Sequence, residues 1–276
     1  MSLLYDDEVL ERLERLELPF NRLGVDPYGV TKRHLALAFS LTKGLYRNYF
    51  GVSVQGAGNV PARGRAMLIG NHSGGVAIDG LMVILSMFWE LDPPRLAQGM
   101  VEKFLNRVAF ASLFSNRTGQ FTGLPEHCVR LLEDERLLMV FPEGARGTAK
   151  LYRERHSLVN FGTGFLRLAL KARAPIVPFA FLGGGEAFPT VWNSQTLGRL
   201  VGAPYVPITA YLAPIPLPVS MEVYYGEPLR FPGDGDEDDP VIQAWVDQVK
   251  DRIRDMIAEG CRRRGVTPAL GDGGGR

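Results

Sequence analysis

Residues 66–79 read AMLIGNHSGGVAID, an apolar run that passes directly into a histidine and a serine, with Asp79 six residues beyond that serine. The run Ala66–Ile69 is short and continuously apolar, which predicts a buried β-strand. The polar residues follow in a glycine-containing turn, and Asp79 opens the next apolar segment, which predicts a helix. A strand, a polar turn and a helix in this order indicate one unit of an α/β fold.

The same alternation continues to about residue 230 and predicts the fold class. Strands that alternate with helices form sheets covered on both faces. We therefore expect an α/β fold with a mixed, largely parallel sheet flanked by helices, preceded by a two-helix N-terminal segment. The predicted strands lie at 49–54, 66–69, 95–99, 137–141, 176–182 and 221–225, and the predicted helices at 6–18, 31–46, 81–89, 101–114, 126–135 and 161–173.

Four segments are expected along the chain. Residues 1–48 form the N-terminal amphipathic helices. Residues 49–231 form the α/β domain, in which 183–219 is rich in Gly and Pro and predicts long loops with short elements. Residues 232–264 combine an acidic linker with a C-terminal helix, and 265–276, which end in GDGGGR, are expected to be disordered.

Composition and charge exclude several classes of protein. The chain has 276 residues, 46% of them hydrophobic, and its formal net charge of +1 gives no basis for nucleic-acid binding. Two cysteines, Cys128 and Cys261, are too few for a disulfide framework, and the four histidines lack metal-ligand spacing, so we expect a reducing cytoplasm and no metal. The acidic N-terminus is not typical of a secretory signal, and no apolar run approaches the ~20 residues that span a bilayer. Any membrane contact is therefore expected from one side.

Two enzyme mechanisms fit the turn after the first buried strand. Ser73 would be a nucleophile if the turn were the strand-to-helix elbow of a hydrolase, but Asn71 replaces the first glycine of that G-x-S-x-G pattern. Such a hydrolase also needs a late histidine, and none occurs after His156. Alternatively, His72 acts as a general base oriented by Asp79 and activates a hydroxyl of the substrate, while Asp79 also caps the following helix.

A second polar segment, residues 141–148 with the sequence FPEGARGT, follows the predicted buried strand 137–141. Open α/β sheets bind ligands at the carboxyl ends of their strands, so this segment is expected to contact substrate. The planar fork of Arg146 suits a phosphate group; alternatively, Glu143 and Arg146 form an ion pair within the loop. Arg117, at a predicted helix end, is a third candidate.

Together these pieces resemble the glycerolipid acyltransferases, which transfer a fatty acyl group from a thioester to a hydroxyl of a lysophospholipid, glycerol phosphate or acylglycerol. The similarity covers roughly residues 50–230. Six residues lie between His72 and Asp79 where the commonest form has four, and this spacing resembles the branch that includes bacterial relatives of the mono- and diacylglycerol acyltransferases. The matching blocks are Asn71-His72 with Asp79, Arg117, Phe141–Gly144 with Arg146–Thr148, and Ala174–Phe179.

The resemblance implies roles and partners. His72 is implied to be the general base and Asp79 the group that orients it. The co-substrate would be acyl-CoA or acyl-carrier protein, with no other cofactor, and the protein would act peripherally at the cytoplasmic face of a membrane. A serine hydrolase or thioesterase using Ser73 and a non-catalytic lipid-binding protein that keeps the fold are the alternatives. The implied substrate-binding residues are Arg117, Glu143, Gly144, Arg146 and Thr148.

Overall fold

The computed structural model describes residues 5–74, 78–99, 115–121, 125–213 and 215–270. The helix predicted at 101–114 lies outside these residues.

The N-terminal segment consists of two helices, α1 (Asp7–Glu14) and α2 (Lys32–Gly44), and α2 continues into a π-helical stretch, Leu45–Tyr49. Asp6 caps α1 because its carboxylate accepts the backbone N–H of Val9. The prediction that a strand begins at residue 49 is wrong, because the helical path continues through Tyr49 and the strand begins at Ser53.

The N-terminal segment packs on the α/β domain. Val9 and Leu13 of α1 are fully buried, as are Leu35 and Phe39 of α2, which places apolar residues of both helices in the core. Arg12 fixes the helix further by donating to the backbone carbonyls of residues 88 and 91.

Six strands form the central sheet: β1 (Ser53–Gln55), β2 (Ala66–Gly70), β3 (Ala97–Gly99), β4 (Leu137–Val140), β5 (Ile176–Leu182) and, numbered in chain order, β8 (Glu222–Tyr225). Their order in the sheet is β1-β8-β5-β2-β4-β3. Strands β2, β3, β4 and β5 are mutually parallel, while β8 pairs antiparallel with β5 and parallel with β1. The sheet is therefore mixed and largely parallel, which confirms the predicted fold class.

Helices cover both faces of this sheet. Successive residues of a strand point to opposite faces, and on β2 Leu68 belongs to the apolar core shared with the N-terminal helices, whereas Met67 and Ile69 belong to the core on the other face. The helices of the domain are α3 (Ile78–Glu90), α4 (Pro125–Glu133), α5 (Ala145–Thr148), α6 (Gly164–Lys171), α7 (Gly184–Ala187), α8 (Gln195–Val201) and α9 (Asp239–Arg263).

Residues 183–219 contain the short elements expected there. Strands β6 (Thr190–Ser194) and β7 (Val206–Thr209) pair antiparallel in a separate two-stranded sheet, and α8 connects them.

The C-terminal segment differs from its prediction in two respects. Helix α9 begins at Asp239, inside the expected acidic linker, because Pro240 suits the first turn of a helix. Residues 265–270 belong to the stretch expected to be disordered, yet the backbone of Ala269 forms two hydrogen bonds with His156. Residues 271–276 lie outside the described residues.

Candidate active site

His72 lies two residues after the last residue of β2, at the carboxyl end of the parallel strands. Its Nδ1 lies 3.1 Å from Oδ2 of Asp79 in the first turn of α3. The same oxygen accepts the backbone N–H of Ser73 at 2.9 Å, and Oδ1 accepts the N–H of Gly80 at 2.8 Å. Asp79 therefore holds the imidazole and the backbone of Ser73 from inside the helix, as its second residue and not as the N-cap that the sequence predicts.

The electrostatics of Asp79 favour a charged carboxylate. Complete burial by itself raises the pKa of this carboxyl, but the charge of the His72 ring and the hydrogen bonds from the ring, Ser73 and Gly80 outweigh burial and leave the pKa below its usual value. A carboxylate at Nδ1 keeps the ring proton on that nitrogen, so the lone pair lies on Nε2.

The imidazole is held on a second side by an aromatic ring. Phe141, the first residue after β4, stacks on His72 with a centroid distance of 3.9 Å and an interplanar angle of 10°. Nε2 has no hydrogen-bond partner among the described residues, although the side chain is only 10% exposed. The site thus holds an oriented, nearly buried imidazole, one nitrogen of which none of the described residues engages.

Ser73 faces the protein interior. Its Oγ donates to Asp79 Oδ2 at 3.2 Å, and no hydrogen bond joins it to a histidine ring within the described part of the chain. Helix α7 packs so closely on this hydroxyl that a Cβ at Gly184 would come 2.0 Å from Oγ. These contacts are typical of a turn residue and not of a nucleophile paired with a base.

The side-chain amide of Asn71 takes the place of backbone hydrogen bonds where β2 ends. Its side-chain oxygen accepts the backbone N–H of Phe181 at 2.8 Å, and its Nδ2 donates to the carbonyl of the same residue at 3.0 Å. The amide therefore extends the contact between β2 and β5 by one residue and fixes the point at which the chain turns toward His72.

Glu143 and Lys150 clamp the backbone of His72. Oε1 of Glu143 accepts the N–H of His72 at 3.0 Å, and Nζ of Lys150 donates to the carbonyl of His72 at 2.7 Å. Nζ also lies 2.7 Å from Oε2 of Glu143, and that oxygen accepts the N–H of Val159 at 2.8 Å.

Both members of this pair are buried. The expected alternative of an ion pair between Glu143 and Arg146 is not formed, because the carboxylate of Glu143 points into the protein toward Lys150. These contacts give no support to the expectation that Glu143 holds the acceptor, and they indicate a positioning role. Sequence reasoning missed Lys150, for which the local pattern offers no signal. Burial lowers the pKa of its ammonium, and the attraction of Glu143 offsets only part of that effect.

The loop from Gly144 to Thr148 forms the short helix α5 beside the imidazole. A Cβ at Gly147 would lie 2.8 Å from Cβ of His72 and 2.7 Å from Cβ of Glu143, so only glycine fits there. Gly144 has φ +55° and open space around its Cα, which allows the chain to turn sharply into the helix.

Two other predicted substrate-binding residues, Arg146 and Thr148, lie on α5 and differ in their contacts. Arg146 is exposed, and its guanidinium donates to the carbonyl of Asn160. Thr148 bonds through its hydroxyl to Ala145 and to the phenol of Tyr205.

The described contacts of Arg117 are with the N-terminal segment. Its guanidinium reaches the carbonyl of Gly29 at 3.4 Å, and its own carbonyl accepts the N–H of Thr31. No described contact joins it to His72 or Glu143.

Two further histidines pack within the fold. His127, on α4, contacts the rings of Tyr28 and Phe121. His156 is buried rather than solvated, because its Nδ1 accepts the N–H of Ala269 and its Nε2 lies 3.3 Å from Glu186.

Comparisons with known proteins identify the family of this chain. Residues 51–182 match the protein family described as Acyltransferase. An uncharacterised protein of Mycobacterium tuberculosis is 30% identical over 247 residues, which cover 86% of this chain and 68% of that protein. A Bos taurus protein described as a DGAT1/2-independent enzyme synthesizing storage lipids is 26% identical over 215 residues, which cover 76% of this chain and 60% of that protein.

A solved structure shares the fold. The 1-acyl-sn-glycerophosphate (LPA) acyltransferase PlsC from Thermotoga maritima superimposes with a TM-score of 0.54 at 15% identity, covering 91% of this chain and 88% of that chain. The chain therefore belongs to the acyltransferase family. It is an acyltransferase, as the sequence motifs imply.

The described residues contain neither a helix that could cross a membrane nor a cluster of metal-binding side chains. None of their helices combines the length and apolar character that crossing a bilayer requires. In the same part of the chain, no group of three or more His, Cys, Asp or Glu side chains is placed to hold a metal ion.

Proposed function

We propose that this protein transfers a fatty acyl group from acyl-CoA or acyl-carrier protein to a hydroxyl of a lysophospholipid, glycerol phosphate or acylglycerol, with His72 as the general base. The observation that carries the proposal is the His72 imidazole, which Asp79 holds at Nδ1 and which has no hydrogen-bond partner at Nε2 in the part of the chain that the structure describes. A hydroxyl has too high a pKa to attack a thioester unless a base removes its proton during attack.

The proposed reaction needs no covalent enzyme intermediate. The acceptor hydroxyl donates its proton to Nε2 as its oxygen bonds to the thioester carbonyl carbon. The tetrahedral adduct then collapses, the carbon–sulfur bond breaks, and the imidazolium returns the proton to the departing sulfur. Asp79 stabilises the imidazolium and keeps the ring in position, while Phe141 restricts its tilt.

The proposed acceptor site lies beside α5. Arg146 is exposed and directly precedes Gly147, the residue that packs against His72 and Glu143. Its guanidinium is therefore available to bind a phosphate or glycerol oxygen. Similarity to the storage-lipid enzymes and the spacing of His72 and Asp79 support an acylglycerol acceptor within the three classes. Arg117 and Thr148 stay candidates for contacts with the acyl donor or the acceptor. We also propose that the protein works peripherally at the cytoplasmic face of a membrane, where such acceptors reside.

The test supplies purified protein with a labelled acyl thioester, on CoA or on acyl-carrier protein, with and without each acceptor. The proposal expects labelled ester only when both substrates are present, and its loss in His72→Gln. Hydrolysis of the thioester at the same rate with and without acceptor would overturn it and favour a thioesterase. Ester formation unchanged in His72→Gln would overturn the assignment of the base.

A further inference from the structure

The most exposed large apolar side chains of the described residues concentrate beyond the catalytic loop. Five side chains in this region expose more than half of their surface, and two of them, Leu200 and Leu212, expose 79% and 83%. Together with Leu197, which is less exposed, these side chains form what we call the apolar patch. Its members are Val191, Trp192, Leu197, Leu200, Leu212 and Ile215.

Four members of the apolar patch lie on β6 and α8, and Leu212 and Ile215 follow in the loop after β7. Strands β6 and β7 pair through four registered positions, and Ser194 caps α8 by accepting the N–H of Leu197. Leu197 and Leu200 are three residues apart on α8 and therefore share one face of that helix. Secondary structure of this kind holds apolar groups in solvent at a free-energy cost, so an exposed cluster indicates a partner.

The unit carrying the patch is bonded to the catalytic elements. The amide of Asn193 donates to the carbonyl of Ala149 at 2.6 Å, immediately after α5. Tyr205 joins the hydroxyl of Thr148 within α5. The backbone of Leu217 donates to the carbonyl of Ala187 at the end of α7, the helix whose Gly184 packs on Ser73. A partner on the patch is therefore coupled to the loop that surrounds His72.

The charges of this region select the kind of partner. No Asp or Glu occurs between Glu186 and Glu222, and Arg199 is the only charged residue in that interval. Protein–protein contacts carry a polar, charged rim, whereas a surface for anionic lipid needs apolar side chains, an aromatic ring at the interface and no acidic residues. Trp192 supplies the ring, and Arg199, exposed on α8, supplies the single cation.

We propose that the apolar patch is the surface through which this acyltransferase docks on a lipid bilayer, with its acceptor entering from that bilayer toward α5. This inference rests on the proposed function for the identity of the acceptor, but the docking itself is measured without it. Helix α8 lies in the headgroup layer, Leu197 and Leu200 enter the acyl region, and Arg199 contacts lipid phosphate.

The test compares wild type with Trp192→Gln/Leu200→Gln in co-sedimentation with phosphatidylcholine vesicles, with and without phosphatidylglycerol. Leu23→Gln is the matched control, because Leu23 is as exposed as Leu200 at 79% but lies in the N-terminal segment. The proposal expects at least about tenfold weaker vesicle binding in the double variant and unchanged binding in the control. Equal vesicle binding by all three proteins would overturn it.

Activity assays separate failure of the docking from failure of the proposed function. Transfer to a water-soluble, short-chain form of the acceptor should be the same in wild type and the double variant, while transfer to its long-chain form embedded in vesicles should fall about tenfold. A double variant that loses both transfers equally would overturn the docking role, since the unit would then be needed for the site itself. If wild type transfers to neither acceptor, the proposed function fails, and vesicle binding still decides the docking.

The alternative hypothesis is that the apolar patch binds a second copy of this chain, and sedimentation of the protein without vesicles tests it. Wild type should be monomeric without vesicles at the concentration used for vesicle binding. A dimer that the double variant converts to monomer, with no change in vesicle binding, would overturn the proposal.

Discussion

Lys150 and Glu143 form a buried ion pair, with Nζ 2.7 Å from Oε2, and hold opposite sides of the same residue, His72. The Glu143 carboxylate accepts a hydrogen bond from the N–H of His72, and the Lys150 ammonium donates one to the carbonyl of His72. The backbone that carries the imidazole is therefore fixed by charge-assisted hydrogen bonds. Two residues without direct access to substrate thereby determine where the base lies.

Removing one member of this pair should destabilise the protein strongly. Lys150→Met leaves the carboxylate of Glu143 buried without its counter-charge, and we expect a loss of about 3–5 kcal/mol in the free energy of unfolding. The double variant Glu143→Gln/Lys150→Met, which removes both charges, should lose clearly less than the sum of the single changes. Urea denaturation of the four proteins measures this; additive losses would contradict the pairing.

Gly147→Ala should displace the imidazole. The added methyl group would lie 2.8 Å from Cβ of His72, so either the ring or α5 must move. We expect a destabilisation of about 1–3 kcal/mol and a fall in kcat of about 100-fold for a shift near 1 Å.

Gly164→Ala is the control, because nothing lies within 4 Å of a Cβ at that position. Its kcat and stability should match wild type or improve slightly. Equal kcat in the two alanine variants would show that the packing at Gly147 is irrelevant to the reaction.

Asp79→Asn should reduce kcat far more than Ser73→Ala. The amide cannot stabilise the imidazolium and permits the wrong tautomer of His72, a loss of about 100- to 10,000-fold. Ser73→Ala removes one hydrogen bond to Asp79, worth about 1 kcal/mol, which corresponds to less than about tenfold. Initial rates of ester formation for the two variants check the prediction, and a reversed order would refute it.

Glu186 should contribute a pH-dependent part of the stability. Burial raises the pKa of this carboxyl, but the contact with the His156 ring, the hydrogen bond from Arg155 and the charge of Arg264 outweigh burial and lower the pKa to about 2. Since the folded-state pKa lies below the usual value of 4.5, the stabilisation is complete above about pH 5 and is lost as the pH falls toward 2.

The measurement is the free energy of unfolding from pH 7 to pH 2 for wild type and Glu186→Gln. The variant should be less stable at neutral pH, and the difference should shrink toward zero at the acidic end. A difference that stays constant over this range would contradict the linkage.

Local patterns predicted the strands well where apolar runs have sharp boundaries. The strand Ile176–Leu182 agrees with its prediction because an uninterrupted apolar run is enclosed by Pro175 and Gly183. The order of strands in the sheet and the antiparallel direction of β8 could not be predicted in this way, since pairing depends on contacts between distant segments.

The site was predicted where its members are close in sequence and was missed where they are not. His72 and Asp79 share one strand–turn–helix unit, so their contact follows from local geometry. Lys150 reaches His72 only because the chain after α5 folds back over the turn at Gly74, whose Cα packs on the Lys150 carbonyl. A lysine in a polar loop is ordinarily solvated, and only the fold shows that this one is buried.

The central claim is that His72, and not Ser73, activates the reacting hydroxyl. The most direct measurement is the rate of labelled ester formation by His72→Ala and Ser73→Ala under single-turnover conditions, with folding checked by circular dichroism. The account predicts that transfer is abolished in His72→Ala and persists in Ser73→Ala. Transfer that persists without His72 and vanishes without Ser73 would contradict it.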